Sequence, residues 1–261
     1  MRAAATCFLF LLLGASSASA DEIRVAAAAD LKFVMQELAA RFEQQTGHRV
    51  NVTYGSSGNF LSQIQNGAPF DLFFSADIEY PRRLETAGLA APGTLYRYAV
   101  GRIVVWVPAG SPVNVSKGWN ALLDSSVQKI AIANPQHAPY GRAAVAALQK
   151  AGIHQKIAAK LVYGEDVSQA AQFVESDNAQ AGIIALSLAM SPALRGKGRW
   201  WEIPAEAHPP IEQGAIVLQS SAHQETARAF LDFVKSAQGR TLLEQFGFTI
   251  PGIRPATQAQ S

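Results

Sequence analysis

The stretch RVNVTYGSSGNFLSQIQNG, Arg49 to Gly67, decides the fold. Its first part, with His48, reads as a strand, HRVNVTYG (48–55). The turn Gly55-Ser56-Ser57-Gly58 follows. Phe60, Leu61 and Ile64 then begin a helix that Asn66-Gly67 ends. A strand that runs through a glycine-serine turn straight into a helix is half of a βαβ unit.

The same unit recurs on both sides. IRVAAAA (23–29) is a short apolar run. It leads into LKFVMQELAARFEQQTG, where Leu31, Val34, Met35, Leu38 and Phe42 share one helical face and Gly47 supplies a stop. FDLFFSAD (70–77) reads as a buried strand, with a helix after it towards Gly88. A second set begins at the strand KIAIANP (129–135) and the helix YGRAAVAALQKAG (140–152). KLVYGE (160–165), DVSQAAQFVESDNA (166–179) and AGIIALS (181–187) complete it. RYAVGRIVVWVPAG (97–110) is long enough to leave one sheet and enter another, and PPIEQGAIVLQS (209–220) reads as a return crossing. The last long helix is expected over about 222–246. The pattern predicts an α/β protein of two lobes, each a mostly parallel sheet flanked by helices, joined by two crossings. Lobe I is expected at 21–100 plus 214–261, and lobe II at 101–213.

Composition narrows the class. MRAAATCFLFLLLGASSASA carries a positive start at Arg2, an apolar centre and a small-residue end at Ala18-Ser19-Ala20. That is the pattern of a secretory signal peptide, with cleavage expected after Ala20. Cys7, the one cysteine, leaves with it, so the mature chain is expected to hold no disulfide and no thiolate metal ligand. Without Arg2, the 22 basic residues become 21, against 20 acidic ones. No basic stripe points to nucleic acid or to a membrane surface.

Four strand–helix junctions share a style. They are AAAAD at Ala29-Asp30, YGSSG at Ser56-Ser57, NPQHAPYG at Tyr140-Gly141, and GEDVSQA at Asp166-Val167. Each offers unpaired N–H groups at the positive end of a helix. Ligands of open α/β sheets bind at such strand ends, and several helix starts meeting in one cleft form an anion site without lysine or arginine. Taken singly, each junction is equally an ordinary helix cap.

Other chemistries fit less well. Ser57 stands where a nucleophile could, but the turn is not G-x-S-x-G, and none of His48, His137, His154, His208 and His223 carries a triad motif. A secreted serine hydrolase is the remote alternative. No Gly-Lys-Ser/Thr marks a P-loop, and no histidine pair has metal-ligand spacing. Trp106, Trp119, Trp200 and Trp201 read as packing residues. Tyr140 does too, although its place beside a glycine at a helix start gives it a second possible role.

With these motifs in view, the chain resembles the periplasmic molybdate-binding proteins of ABC importers over nearly its whole mature length. VAAAADL, YGSSG, NGAPFDLFFSAD, YAVGRIVVW, NPQHAPYG, EDV and EQFGFTIP carry the resemblance. It implies the two-lobed type II periplasmic-binding-protein fold, a protein with no enzymatic activity and no cofactor, and a monomer that hands molybdate or tungstate to a membrane permease. The implied oxyanion contacts are Ala29, Asp30, Ser57, Tyr140 and Val167. Ala29, Tyr140 and Val167 would give backbone N–H groups, and Ser57 its hydroxyl and N–H. These groups would reach the metal only through the oxygens of the anion.

Two positions depart from the family pattern. Ala185 stands where some members donate a tyrosine hydroxyl. Asp30 stands where members usually carry serine, threonine or asparagine. An ionised carboxylate ~4 Å from a dianion costs about 8 kcal/mol at an effective dielectric of 20, as much as a whole micromolar affinity. The expected solution is that Asp30 turns inward and caps its own helix. The alternatives are a protonated Asp30 or an oxyanion other than molybdate.

Overall fold

The computed structural model describes residues 20–252. The expected signal peptide, 1–20, therefore lies outside them apart from its last residue. Among the described residues, ten strands form two five-stranded sheets. β1 (Glu22–Ala28), β2 (Arg49–Gly55), β3 (Leu72–Ser75), β4 (Tyr96–Gly101), β5 (Ile103–Pro108), β6 (Ile130–Ala133), β7 (Leu161–Gly164), β8 (Ala181–Ala185), β9 (Gly198–Glu202) and β10 (Ile211–Val217) follow in chain order. The helices are α1 (Lys32–Thr46), α2 (Ser57–Gln65), α3 (Glu79–Thr86), α4 (Pro139–Lys150), α5 (His154–Ile157), α6 (Val167–Glu175), α7 (Leu186–Ala189), α8 (Gln224–Lys235) and α9 (Ala237–Gln245).

The two sheets share one plan. The first runs β2-β1-β3-β10-β4 and the second β7-β6-β8-β5-β9. In the first, β1 pairs in parallel with β2 and β3, while β10 is antiparallel to β3 and β4. In the second, β6 is parallel to β7 and β8, while β5 is antiparallel to β8 and β9. The two-lobed α/β architecture is as read, but each sheet is mixed rather than mostly parallel. The antiparallel pairs belong to the crossings and their neighbours. A strand that arrives directly from the other sheet brings no crossover helix, and antiparallel pairing is the arrangement open to it. β4 and β5 are separated only by Arg102, so the chain changes sheets within one residue.

Strand alternation sorts the first sheet's core onto two faces. Ile23, Val25, Ala27, Leu72 and Phe74 face α1, α8 and α9, where Leu38, Phe42 and Phe230 meet them. Ala26, Phe73 and Ile216 point the other way, to Phe60, Leu61 and Ile64 of α2 and Leu84 of α3. The second sheet is buried around Val105, Trp106, Ile130 and Ile184. Helix ends follow the local chemistry. Gly47 closes α1 in the left-handed conformation, at φ 76°. The single C-terminal helix expected at 222–246 is two helices. Ser236 leaves helical geometry, at ψ 165°, and its side chain accepts from the Gly239 N–H to start α9. Sequence reading also passed over β9, whose tryptophans form the edge of the second sheet.

No helix among the described residues is long and apolar enough to cross a membrane. The fold rests on the packed aromatic centre behind the first sheet. Phe230 is fully buried, with ring centroids 5.1 Å from Phe42 and 6.1 Å from Phe74. Phe230→Ala is expected to cost about 3–5 kcal/mol of stability, read as a lower urea midpoint. A loss under about 1 kcal/mol would show that this cluster does not anchor the lobe.

Candidate functional site

The parallel halves of both sheets aim their carboxyl ends at the same place. β1 and β2 finish side by side at Ala28 and Gly55, and β6 and β7 at Ala133 and Gly164. The helices that follow start there. Ala29, Asp30, Ser57, Tyr140 and Val167, the five positions singled out from sequence, line a single small hollow. Ala76 and Asp166 line it too, and no lysine or arginine does.

The hollow is rich in uncommitted donors. α2 and α4 have no side-chain cap, so the plain-capping reading does not hold at YGSSG or at NPQHAPYG. α6 is capped by Asp166, whose Oδ1 accepts from Ser168 N at 2.8 Å and Gln169 N at 2.9 Å. That cap leaves the Val167 N–H alone. The amides of Ser57, Tyr140 and Val167 stand in first turns, where the helix offers no acceptor. None of them donates to a protein acceptor among the described residues. The Ser57 side chain is oriented from the other side. Its Oγ accepts from Ala76 N at 2.9 Å, which leaves the hydroxyl proton free to be given.

Asp30 does not cap its helix: it lies inside the turn Ala29–Leu31, and among the described residues its carboxyl accepts from side chains of other elements rather than from a helix-start amide. Its carboxyl is buried and bonded across the molecule. Oδ2 accepts from Tyr140 Oη at 2.9 Å and from Gln213 Nε2 at 2.7 Å, while Oδ1 has no partner among the described residues. Gln213 is oriented in turn by Tyr98, whose hydroxyl lies 2.6 Å from its Oε1. Burial pushes the Asp30 carboxyl up from its ordinary 3.8 to about 6. The hydrogen bonds from Gln213 and Tyr140 hold it down, and the charge of Asp166 raises it further. Burial also raises Tyr140 well above the usual tyrosine range, with the neighbouring Asp30 adding to the effect.

Residues around the hollow tie the lobes together. Ser56 Oγ donates to the His137 carbonyl at 2.7 Å, and Gly58 N donates to the same oxygen at 3.0 Å. Asn59 Nδ2 meets Glu165 at 2.5 Å, Arg142 donates to Tyr80 Oη at 2.8 Å and pairs with Asp77, and Ser187 donates to the Asp30 carbonyl at 2.8 Å. His137 lies 2.9 Å from Ser56 and 3.7 Å from Glu165, an arrangement that superficially resembles a triad. It does not favour hydrolysis at Ser57. Ser57 is bonded to Ala76, and the Ser56 hydroxyl is held by the His137 carbonyl. None of the tryptophans lines the hollow. Trp119 and Trp201 pack edge to face at 5.1 Å, as packing residues do.

Sequence reading missed Gln213, Tyr98 and His137 as parts of the site. Gln213 left a signal, since a polar residue within the apolar run of a crossing strand must find partners when buried. His137 left none, because its role is made by its carbonyl.

This is the architecture of a two-lobed binding protein, with a hollow at the helix starts between the lobes. The chain belongs to the family of bacterial extracellular solute-binding proteins, whose model matches residues 23–249. It is 36% identical to the molybdate-binding protein of Rhodobacter capsulatus, over 95% of this chain and 96% of that protein. Identity to the molybdate-binding protein of Azotobacter vinelandii is 37%, over 90% of this chain and 92% of the other. The solved structure of the periplasmic molybdate-binding protein from Azotobacter vinelandii superposes with a TM-score of 0.83, at 34% identity, covering 88% of this chain and 99% of that one.

The geometry makes two expectations. Below about pH 4 Asp30 is protonated in both folded and unfolded chains. Between there and about 6 the folded state keeps a proton that the unfolded chain has released, so stability falls as pH rises through that window. Above it the loss is about 3 kcal/mol. Asp30→Asn should therefore gain up to about 3 kcal/mol near pH 8 and nothing near pH 4, measured by urea unfolding without ligand. An equal gain at both pH values would refute the shifted carboxyl. At Gly58, an added Cβ would sit 2.6 Å from the His137 carbonyl oxygen of the opposite lobe. Gly58→Ala should hold the lobes apart and enlarge the radius of gyration seen by X-ray scattering; an unchanged radius would place this contact outside the closure.

Proposed function

We propose that this chain is a periplasmic solute-binding protein that captures molybdate, and tungstate with it, between its lobes and delivers it to an ABC permease. One observation carries the reading. Uncommitted amides from α2, α4 and α6, together with the Ser57 hydroxyl, line one hollow without a lysine or arginine. The relatives named above, at more than a third identity, bear the name of molybdate-binding proteins.

The chemistry suits a small dianion with equivalent oxygens. Each charge-assisted hydrogen bond contributes about 1.5–3 kcal/mol. A handful of them, less the cost of association, reaches micromolar or tighter binding. The Ala29, Tyr140 and Val167 amides, with the Ser57 amide and hydroxyl, are fixed by strand ends and helix starts, so little ordering remains on binding. Sulfate has the same charge and shorter bonds, and the size of the hollow is what discriminates against it. Donors come from both lobes, so the bound anion favours the closed form, and that form is the shape a permease can recognise. No step of this cycle needs a nucleophile or a base.

Asp30 favours a second reading, a same-fold protein for an oxyanion that carries its own proton, which the unpartnered Oδ1 would accept. Calorimetry on the mature protein separates the readings. Heat with molybdate and tungstate and none with sulfate is expected; no heat with the first two ends the proposal, and heat with hydrogen phosphate instead favours the second reading. Ser57→Ala should weaken molybdate binding by about 1–3 kcal/mol. An unchanged affinity would remove Ser57 from the site.

A further inference from the structure

We propose that Asp30 is a ligand-coupled proton site: the hollow takes an oxyanion dianion together with one proton, which resides on Oδ1 of Asp30 and is shared with an oxygen of the anion. The inference rests on the reading of the hollow as a dianion site and deepens it.

The placement of the proton follows from the network. Oδ2 already faces two donors, Tyr140 Oη and Gln213 Nε2. Gln213 turns its Nε2 to Asp30 while its Oε1 accepts from the Tyr98 hydroxyl at 2.6 Å. Tyr140 Oη also lies 3.0 Å from Gln213 Nε2, which donates to it and directs its own proton to Asp30. No room for a proton remains on Oδ2. Oδ1 is buried, has no protein partner, and belongs to a residue that lines the hollow. A proton there turns an oxygen that would repel the anion into a donor to it.

The groups around Asp30 leave no other source of neutralisation. Tyr140 faces it from α4, Gln213 from β10 with Tyr98 of β4 behind, and Ser187 of α7 donates to its carbonyl. Asp166, at the start of α6, adds negative charge. Among the described residues no lysine, arginine or histidine pairs with Asp30. The magnitudes decide between clash and protonation. An ionised carboxylate beside a dianion would weaken binding about a million-fold at an effective dielectric of 20. Protonating a carboxyl that titrates at about 6 weakens it only about tenfold at pH 7.

The test is titration calorimetry of the mature chain with sodium molybdate near pH 8, in two buffers of different ionisation heat. The expected result is uptake of close to one proton per anion, with Kd rising about tenfold per pH unit above about 7. Asp30→Asn should take up no proton and show a flat profile. It should bind about a hundredfold more tightly than the parent near pH 8. Tyr140→Phe keeps the backbone donor but removes a bond that stabilises the carboxylate, so the pH at which affinity starts to fall should move upward. A purely structural role for Tyr140 would lower affinity equally at every pH. Molybdate heat that is independent of buffer near pH 8, or a parental pH slope in Asp30→Asn, overturns the proposal while leaving the molybdate site standing. If Asp30→Asn does not fold, the proton count on the parent protein decides alone. Absence of molybdate heat at every pH removes the dianion reading, and this inference falls with it.

Discussion

On the proposed reading the structure depends on one electrostatic constraint: a hollow between two lobes has to hold a doubly charged guest without a lysine or arginine. Backbone amides at helix starts meet that constraint because the helix itself leaves them without acceptors. Their positions are in turn set by sheet pairing. Parallel strands ending in register at Ala28 and Gly55, and at Ala133 and Gly164, bring the first turns of the following helices close together. The mixed topology serves the same end. The parallel half of each sheet supplies helix starts, and the antiparallel half carries the chain across. Glycines allow the close approach: a Cβ at Gly141 would lie 2.2 Å from the Ala133 carbonyl oxygen, so α4 can begin tight against β6 only without one.

Asp30 is where that constraint is broken and repaired. A carboxyl beside an anion site would be expected at the rim, where water screens it. This one is buried, with donors from the other lobe and from the return strand on a single oxygen. Such a network is costly when half satisfied, and the bare Oδ1 is its unsatisfied half. Asp166, by contrast, does cap its own helix, α6, and sits half-exposed at its start without a partner from elsewhere. The two acids show what local sequence can and cannot convey. Both precede a helix, and only the tertiary surroundings separate them.

That contrast explains how much was legible. The alternation of strand and helix, the two crossings and the four junctions could be read because hydrophobic period and glycine stops are local signals. The five expected positions share one hollow because each is defined by its strand–helix junction. The long C-terminal helix was read as unbroken because its apolar period continues across Ser236, where a single side-chain bond to Gly239 restarts the helix. Gln213, Tyr98 and the His137 carbonyl were missed because their roles are made by pairing between distant segments. Gln213 reaches Asp30 across 183 positions of chain, and no local pattern encodes that.

The distribution of inter-lobe contacts bears on how closure is driven. The rim contacts Arg142–Asp77, Asn59–Glu165 and His137–Glu165 are partly exposed, and such pairs contribute only about 0–1 kcal/mol. They can steer closure but cannot hold the protein shut. The buried bonds from Tyr140 and Gln213 to Asp30 lie close to the crossing, since a Cβ on Gly101, the last residue of β4, would fall 2.2 Å from Tyr140 Oη. Groups near a rotation axis move least when the lobes open. The donors farther out, Ser57 on one lobe and Val167 on the other, lose each other when the cleft widens. An anion bridging them therefore has affinity for the closed form that it lacks for the open one, and only such a difference can shift the balance between the two.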